Sequence, residues 1–149
     1  MPLEALGWHV RHDVFAEHGN RDHVVVGPSG VYLLDTKTPA GLVRVEGDVM
    51  VVDRTDNLRA SYRLDRLVPG LRAEAARLKV DLEVTAGRTW VQAVVVIWAD
   101  FPQRIIEGDR VVFVHGDELV AWLRERPVVL GEHRTVKLTE AVRALRAAA

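Results

Sequence analysis

Asp22, Asp35 and Lys37 are the residues of this chain whose types and spacing could do chemistry, and that chemistry would be performed on a phosphate ester. They sit at the two ends of DHVVVGPSGVYLLDTK (22–37), where two β-branched or apolar runs are separated by a Gly-Pro-Ser-Gly turn. Such a segment reads as a β-hairpin. Closure through two residues (Pro28-Ser29) or four (Gly27 to Gly30) gives one and the same register, whereas a three-residue loop would shift it. The four-residue loop suits the sequence better, with Pro28 in a type I turn and Gly30 free to take positive φ. In that register Val26 faces Val31, Val24 faces Leu33 and Asp22 faces Asp35. Lys37, two residues beyond Asp35, falls on the same face of its strand.

Two carboxylates facing each other are destabilising by themselves. A divalent cation with oxygen ligands, Mg²⁺ or Mn²⁺, would offset the repulsion and act as a Lewis acid on a phosphate oxygen. Lys37 could then orient a water or stabilise charge on the phosphate. An ammonium suits that role better than a guanidinium, being a compact point charge that loses a proton when desolvated. The chain has only three lysines, Lys37, Lys79 and Lys137, among twenty basic residues. On spacing alone, the alternative is an ordinary hairpin with solvated charges at its ends.

The elements that must position these groups follow from periodicity. At 149 residues the chain is expected to form one domain spanning 1–149. Trp8 to Phe15 reads as a strand, and Val43–Val45 with Val49–Val52 reads as a second hairpin around Glu46-Gly47-Asp48. Leu64, Leu67, Val68, Leu71, Ala75 and Leu78 recur at helical spacing, predicting a helix over about 60–80 with a kink or break at Pro69-Gly70. WVQAVVVIWA (90–99) is a strand covered on both faces. A strand over 111–114 and helices over about 117–126 and 136–147 complete a mixed α/β (α+β) chain, a central mixed sheet flanked by helices. The first eight residues allow one or two helical turns at most.

NRDHVVVGPSGVYLLDTKTPAG (20–41) resembles the core of the nuclease-related domain (NERD) family, a branch of the PD-(D/E)XK nuclease superfamily. The features that carry the resemblance are Asp-His before a β-branched run, the Gly-Pro-Ser-Gly turn, an apolar strand ending in Asp35-Thr36-Lys37, and a glycine shortly after. The resemblance implies a restriction-endonuclease-like core whose metal ligands are Asp22, Asp35 and the Thr36 carbonyl, with Lys37 as the catalytic lysine. It also implies a Mg²⁺- or Mn²⁺-dependent hydrolase cleaving DNA. Family members usually begin with a helix carrying an acidic residue of the metal site. Here the chain starts almost at the first strand, and Glu4 lacks the matching flanks, so the N-terminal helix is expected to be short. That departure keeps a second function open: a catalytically inactive module binding nucleic acid or a protein partner.

Composition narrows the remaining possibilities. Net charge is −1, so nucleic acid must be held by a local patch rather than by the whole surface. The candidate patch is Arg59, Arg63 and Arg66, at i, i+4 and i+7 of the expected helix, with a solvated face paired to Asp65 as the alternative. Cysteine is absent, which excludes disulfides, cysteine zinc sites and thiol catalysis. No apolar run reaches the roughly 20 residues of a membrane span, and the start lacks a secretory pattern, so a cytoplasmic protein is expected. A homodimer is one possible assembly, since a shortened sheet edge could pair with another chain. His9, His12, His18 and His23 suggest zinc, but His9 and His12 are three apart on a strand and point to opposite faces. His23 alternates away from the Asp22 face. Trp8, Trp90, Trp98 and Trp122 suggest a stacking set for bases, but each lies in an apolar stretch and reads as core. No glycine-rich phosphate loop or serine nucleophile turn is present.

Overall fold

Val91–Ile97 is the backbone of the sheet because every residue in it except Gln92 is buried, which only a strand covered on both faces allows. A computed structural model describes residues 3–15, 20–54 and 60–146. The strands are β1 (His9–Phe15), β2 (Asn20–Gly27), β3 (Gly30–Lys37), β4 (Leu42–Glu46), β5 (Val49–Asp53), β6 (Tyr62–Leu64), β7 (Val91–Ile97), β8 (Ile105–Glu107) and β9 (Val111–His115). The helices are α1 (Leu67–Ala86), α2 (Leu119–Glu125) and α3 (Glu132–Arg143).

Six strands form a mixed sheet in the order β1-β2-β3-β7-β9-β8, with β3, β7 and β9 parallel and the outer strands antiparallel. A separate antiparallel sheet, β4-β5-β6, lies within the long connection from β3 to β7. Period-two alternation sorts the central strands into two cores. Val24, Leu33, Val95 and Phe113 face α1 and α3, whereas Val25, Tyr32, Val94 and Val114 face Leu119, Trp122 and Leu123 around α2. The expected mixed sheet flanked by helices is the observed architecture. Among the described residues no helix is long and apolar enough to cross a membrane.

Several boundaries differ from the sequence-based expectations. Gly27 pairs with Gly30, so the hairpin closes through Pro28-Ser29 rather than through four residues, and the register is the expected one. Among the described residues only Asp13 and Arg104 are non-glycines with positive φ, so Pro28 and Ser29 avoid a primed turn while Gly30 takes φ 136°. The helix over 60–80 is instead α1, a single unbroken element. Its expected first turn is strand β6, which pairs with β5. Pro69 falls in the first turn of α1, where backbone N–H groups have no intrahelical acceptor, so the helix does not break there. The last helix starts four residues earlier than expected. Strand β8 has only three residues, too few for a periodic signal.

Edge strand β1 is tied to α3 by Arg11, whose Nη1 donates to the carbonyls of Val142 and Arg143 at 2.7 Å each. Beside this clasp His9 Nε2 is buried without a hydrogen-bond partner. Burial first, then the charges of Arg143 and Arg11, hold the His9 imidazole below its ordinary value of 6.5. Below that value the unfolded chain therefore binds more protons than the folded one, and stability falls as the pH drops. Thermal unfolding followed from about pH 7.5 to about pH 5.5 should show a steeper decline for wild type than for His9→Gln.

Candidate active site

The site forms where the β2–β3 ladder runs out. Its last described rung is His23 with Leu34. Beyond it the Asp22 side chain takes over the pairing: Oδ2 accepts a hydrogen bond from the Thr36 backbone N–H at 3.1 Å. In an extended strand a residue's N–H and C=O point to the same side, so the Thr36 carbonyl also faces the β2 side. Asp22 shares a sheet face with Val24 and Val26, and Asp35 and Lys37 share that face with Val31 and Leu33. An apolar face thus ends in three charged groups.

Those groups touch. Lys37 Nζ lies 3.3 Å from Asp35 Oδ2, with Asp35 21% and Lys37 37% exposed, so water reaches the pair without swamping it. Burial pushes the Asp35 carboxyl up, contact with Asp22 and its charge push the same way, and the Lys37 ammonium opposes them. Two carboxyl groups in contact at one site cannot both remain ionised cheaply unless a proton or a cation lies between them. Hard oxygen donors, two carboxylates and a main-chain carbonyl on the same side, suit Mg²⁺ or Mn²⁺, which retain several waters and need few protein ligands. Among the described residues no group of three or more His, Asp or Glu side chains could hold a metal ion, so the acidic donors reach two.

The arginine patch is arranged differently from expectation. Arg63 lies on β6 and Arg66 precedes α1, so they do not form a helical stripe, and Arg59 lies outside the described residues. Arg63 donates to Glu46 at 2.9 Å and to Asp65 at 3.4 Å, as the solvated-face alternative has it. Arg63 and Arg66 nevertheless line, together with Lys37, an open depression of about 540 Å³. Asp65 shares that lining, so three cations stand there against one carboxylate.

The histidines divide as their alternation requires. His12 and His23 meet across β1 and β2 with Nδ1 atoms 2.6 Å apart and rings edge to face. Burial foremost, then His12, keeps His23 below the usual imidazole range, against the pull of Asp22. His18 lies outside the described residues. The tryptophans are a correction: Trp8 and Trp122 are buried, but Trp90 and Trp98 are 60% and 48% exposed because they flank β7 rather than belong to it. Trp98 donates its backbone N–H to the Lys37 carbonyl at 2.9 Å. Its indole covers Gly116 and meets His115 edge-on, toward β9 and away from the carboxylates.

A family model described as nuclease-related domain (NERD) matches residues 2–98, almost two thirds of the chain and all of Asp22, Asp35, Thr36 and Lys37. The chain belongs to the nuclease-related domain family. The NERD match runs from the N-terminal turn through β7 and ends just beyond the strand that supports Asp35 and Lys37. No curated protein and no solved structure matches the chain.

Proposed function

We propose that this NERD chain is a metal-dependent phosphodiesterase that hydrolyses DNA. The observation that carries the proposal is the convergence of Asp22, Asp35 and Lys37 at the end of one hairpin inside the family-matched segment. Asp22, Asp35 and the Thr36 carbonyl would hold Mg²⁺ or Mn²⁺. When bound, the ion supplies Lewis-acid chemistry at the phosphate and makes a water more acidic. Asp22 is oriented for its part by the Thr36 N–H. Asp35 fixes the Lys37 ammonium, which is placed to stabilise negative charge developing on the phosphate. Arg66, with Arg63 beside it, lies where the flanking backbone of a strand would run.

The direct test incubates DNA with the chain and Mg²⁺ or Mn²⁺. Cleavage that EDTA abolishes is the expected result. Arg66→Ala should weaken DNA binding about equally for all sequences and lower the slope of log affinity against log salt by about one, read from titrations at several salt concentrations. One observation favours a second reading, a catalytically silent binding module: only two acidic side chains converge among the described residues. DNA binding that survives EDTA, with no cleavage under either metal, would select it.

A further inference from the structure

A second concavity lies at the opposite end of the sheet. The β3–β7 ladder opens at Val31 with Val91 and closes at Lys37 with Ile97. At about 3.3 Å per residue the two ends are roughly 20 Å apart. Between the β2–β3 turn, the segment entering β7 and the segment joining α2 to α3 is a cavity of about 510 Å³. That volume is within the range of about 300–1,000 Å³ typical of small-ligand sites.

Its lining has a definite chemistry. Arg88, Arg126 and Arg134 contribute three guanidinium groups against one carboxylate, Glu107. Two of the three are held in place by the protein. Arg134 donates to the carbonyls of Ala86 and Arg88, the latter at 2.7 Å. Arg126 lies 4.9 Å from the centre of the Trp122 ring and donates to the Trp122 carbonyl and to Glu107, each at 3.1 Å. Glu107 Oε1 also accepts from Trp122 Nε1 at 2.9 Å, so the one carboxylate is engaged within the protein through that oxygen. Two of the three guanidinium groups are thus preorganised before any ligand arrives, which suits an anion with several acceptor oxygens.

Trp90 stands at the edge of this cavity with its indole exposed, and it also lines a smaller depression of about 110 Å³ that holds Arg72 and Arg110. The chain leading to it is anchored: Thr89 N–H donates to Glu83 at 3.0 Å, and Arg134 grips the carbonyls of Ala86 and Arg88. An exposed indole on a tethered backbone, with arginines on both sides, offers a planar apolar face flanked by hydrogen-bond donors for an anion. Nucleotides are recognised by that combination, the base by stacking and the phosphate by cations.

We infer that this end of the sheet binds a nucleotide unit, its base on Trp90 and its phosphate at Arg88, Arg126 and Arg134. The unit could be a free nucleotide or part of a nucleic-acid strand crossing Trp90 between the two depressions. The inference does not depend on the Asp22–Asp35–Lys37 site, and the distance keeps the two tests separate.

The test titrates the full chain in EDTA with adenosine monophosphate, with inorganic phosphate and with a single-stranded oligodeoxyadenylate. Adenosine monophosphate should bind more tightly than phosphate. Trp90→Ala should weaken it about tenfold or more, the worth of one stacked base, while leaving phosphate unchanged. Trp90→Phe should restore most of the affinity, and Arg88→Ala should weaken both ligands. If only the oligonucleotide binds and Trp90→Ala weakens it to the same extent, the unit is part of a strand. If no probe responds to Trp90→Ala in a chain that melts like wild type, or if phosphate binds as tightly as adenosine monophosphate, the inference is overturned.

Discussion

Lys37→Ala is expected to lower the single-turnover rate of DNA cleavage by a factor of about 10²–10³, the usual cost of removing one preorganised group that stabilises developing charge. DNA affinity should change far less, because the loss concerns a contact strengthened in the transition state rather than one made equally in the ground state. The geometry also argues against rescue by Lys37→Arg. Lys37 Nζ reaches Asp35 Oδ2 at 3.3 Å as a compact charge, and a planar guanidinium on a different stem cannot occupy that point with the same hydration. Asp35→Asn should abolish cleavage under both Mg²⁺ and Mn²⁺, since it removes the proposed metal ligand and the partner of Lys37 together. Cleavage at the wild-type rate in Lys37→Ala would show that the chemistry lies elsewhere.

The second large effect is on stability. Phe113 is fully buried in the middle of β9, opposite Val95 on β7, and Val95 lies opposite Asp35 on β3. One row across the sheet therefore runs from the core to the candidate site, and at its inner end Phe113 belongs to the core that the sheet shares with α1 and α3. Phe113→Ala should lower the unfolding free energy by about 3–5 kcal/mol through lost burial and the cavity left behind. For a chain of this length that is a fall in Tm on the order of 10 °C, with urea unfolding giving the free energy directly. A loss under about 1 kcal/mol would mean that the sheet centre repacks freely, unlike a close-packed interior.

Much of the site was legible because it is local. Asp22, Asp35 and Lys37 are brought together by a hairpin whose register follows from its turn length and from period-two alternation, and both signals lie within sixteen residues. The buried β7 run was equally plain, because only a strand covered on both faces can carry so many consecutive β-branched residues. Legibility failed where one residue type serves two structures. Leu64 fits the helical spacing of the α1 leucines yet lies on β6, and Arg63 goes with it, so the arginine stripe does not exist as a helical face. Pro69 reads as a helix breaker unless it is known to fall in the first turn. Trp90 and Trp98 look like core by composition and are exposed because each stands one residue outside β7. The arginine cavity around Trp90 could not be read at all. It depends on contacts such as Arg134 with the Ala86 carbonyl, which join positions far apart in the chain.

The central claim is that Asp22 and Asp35 form a cation site at the end of the β2–β3 hairpin. It is tested most directly by isothermal titration of Mn²⁺ into the wild-type chain and into Asp35→Asn at neutral pH. Saturable binding to the wild type that disappears in Asp35→Asn is the expected result. Equal binding to both chains, or none to the wild type, would contradict it.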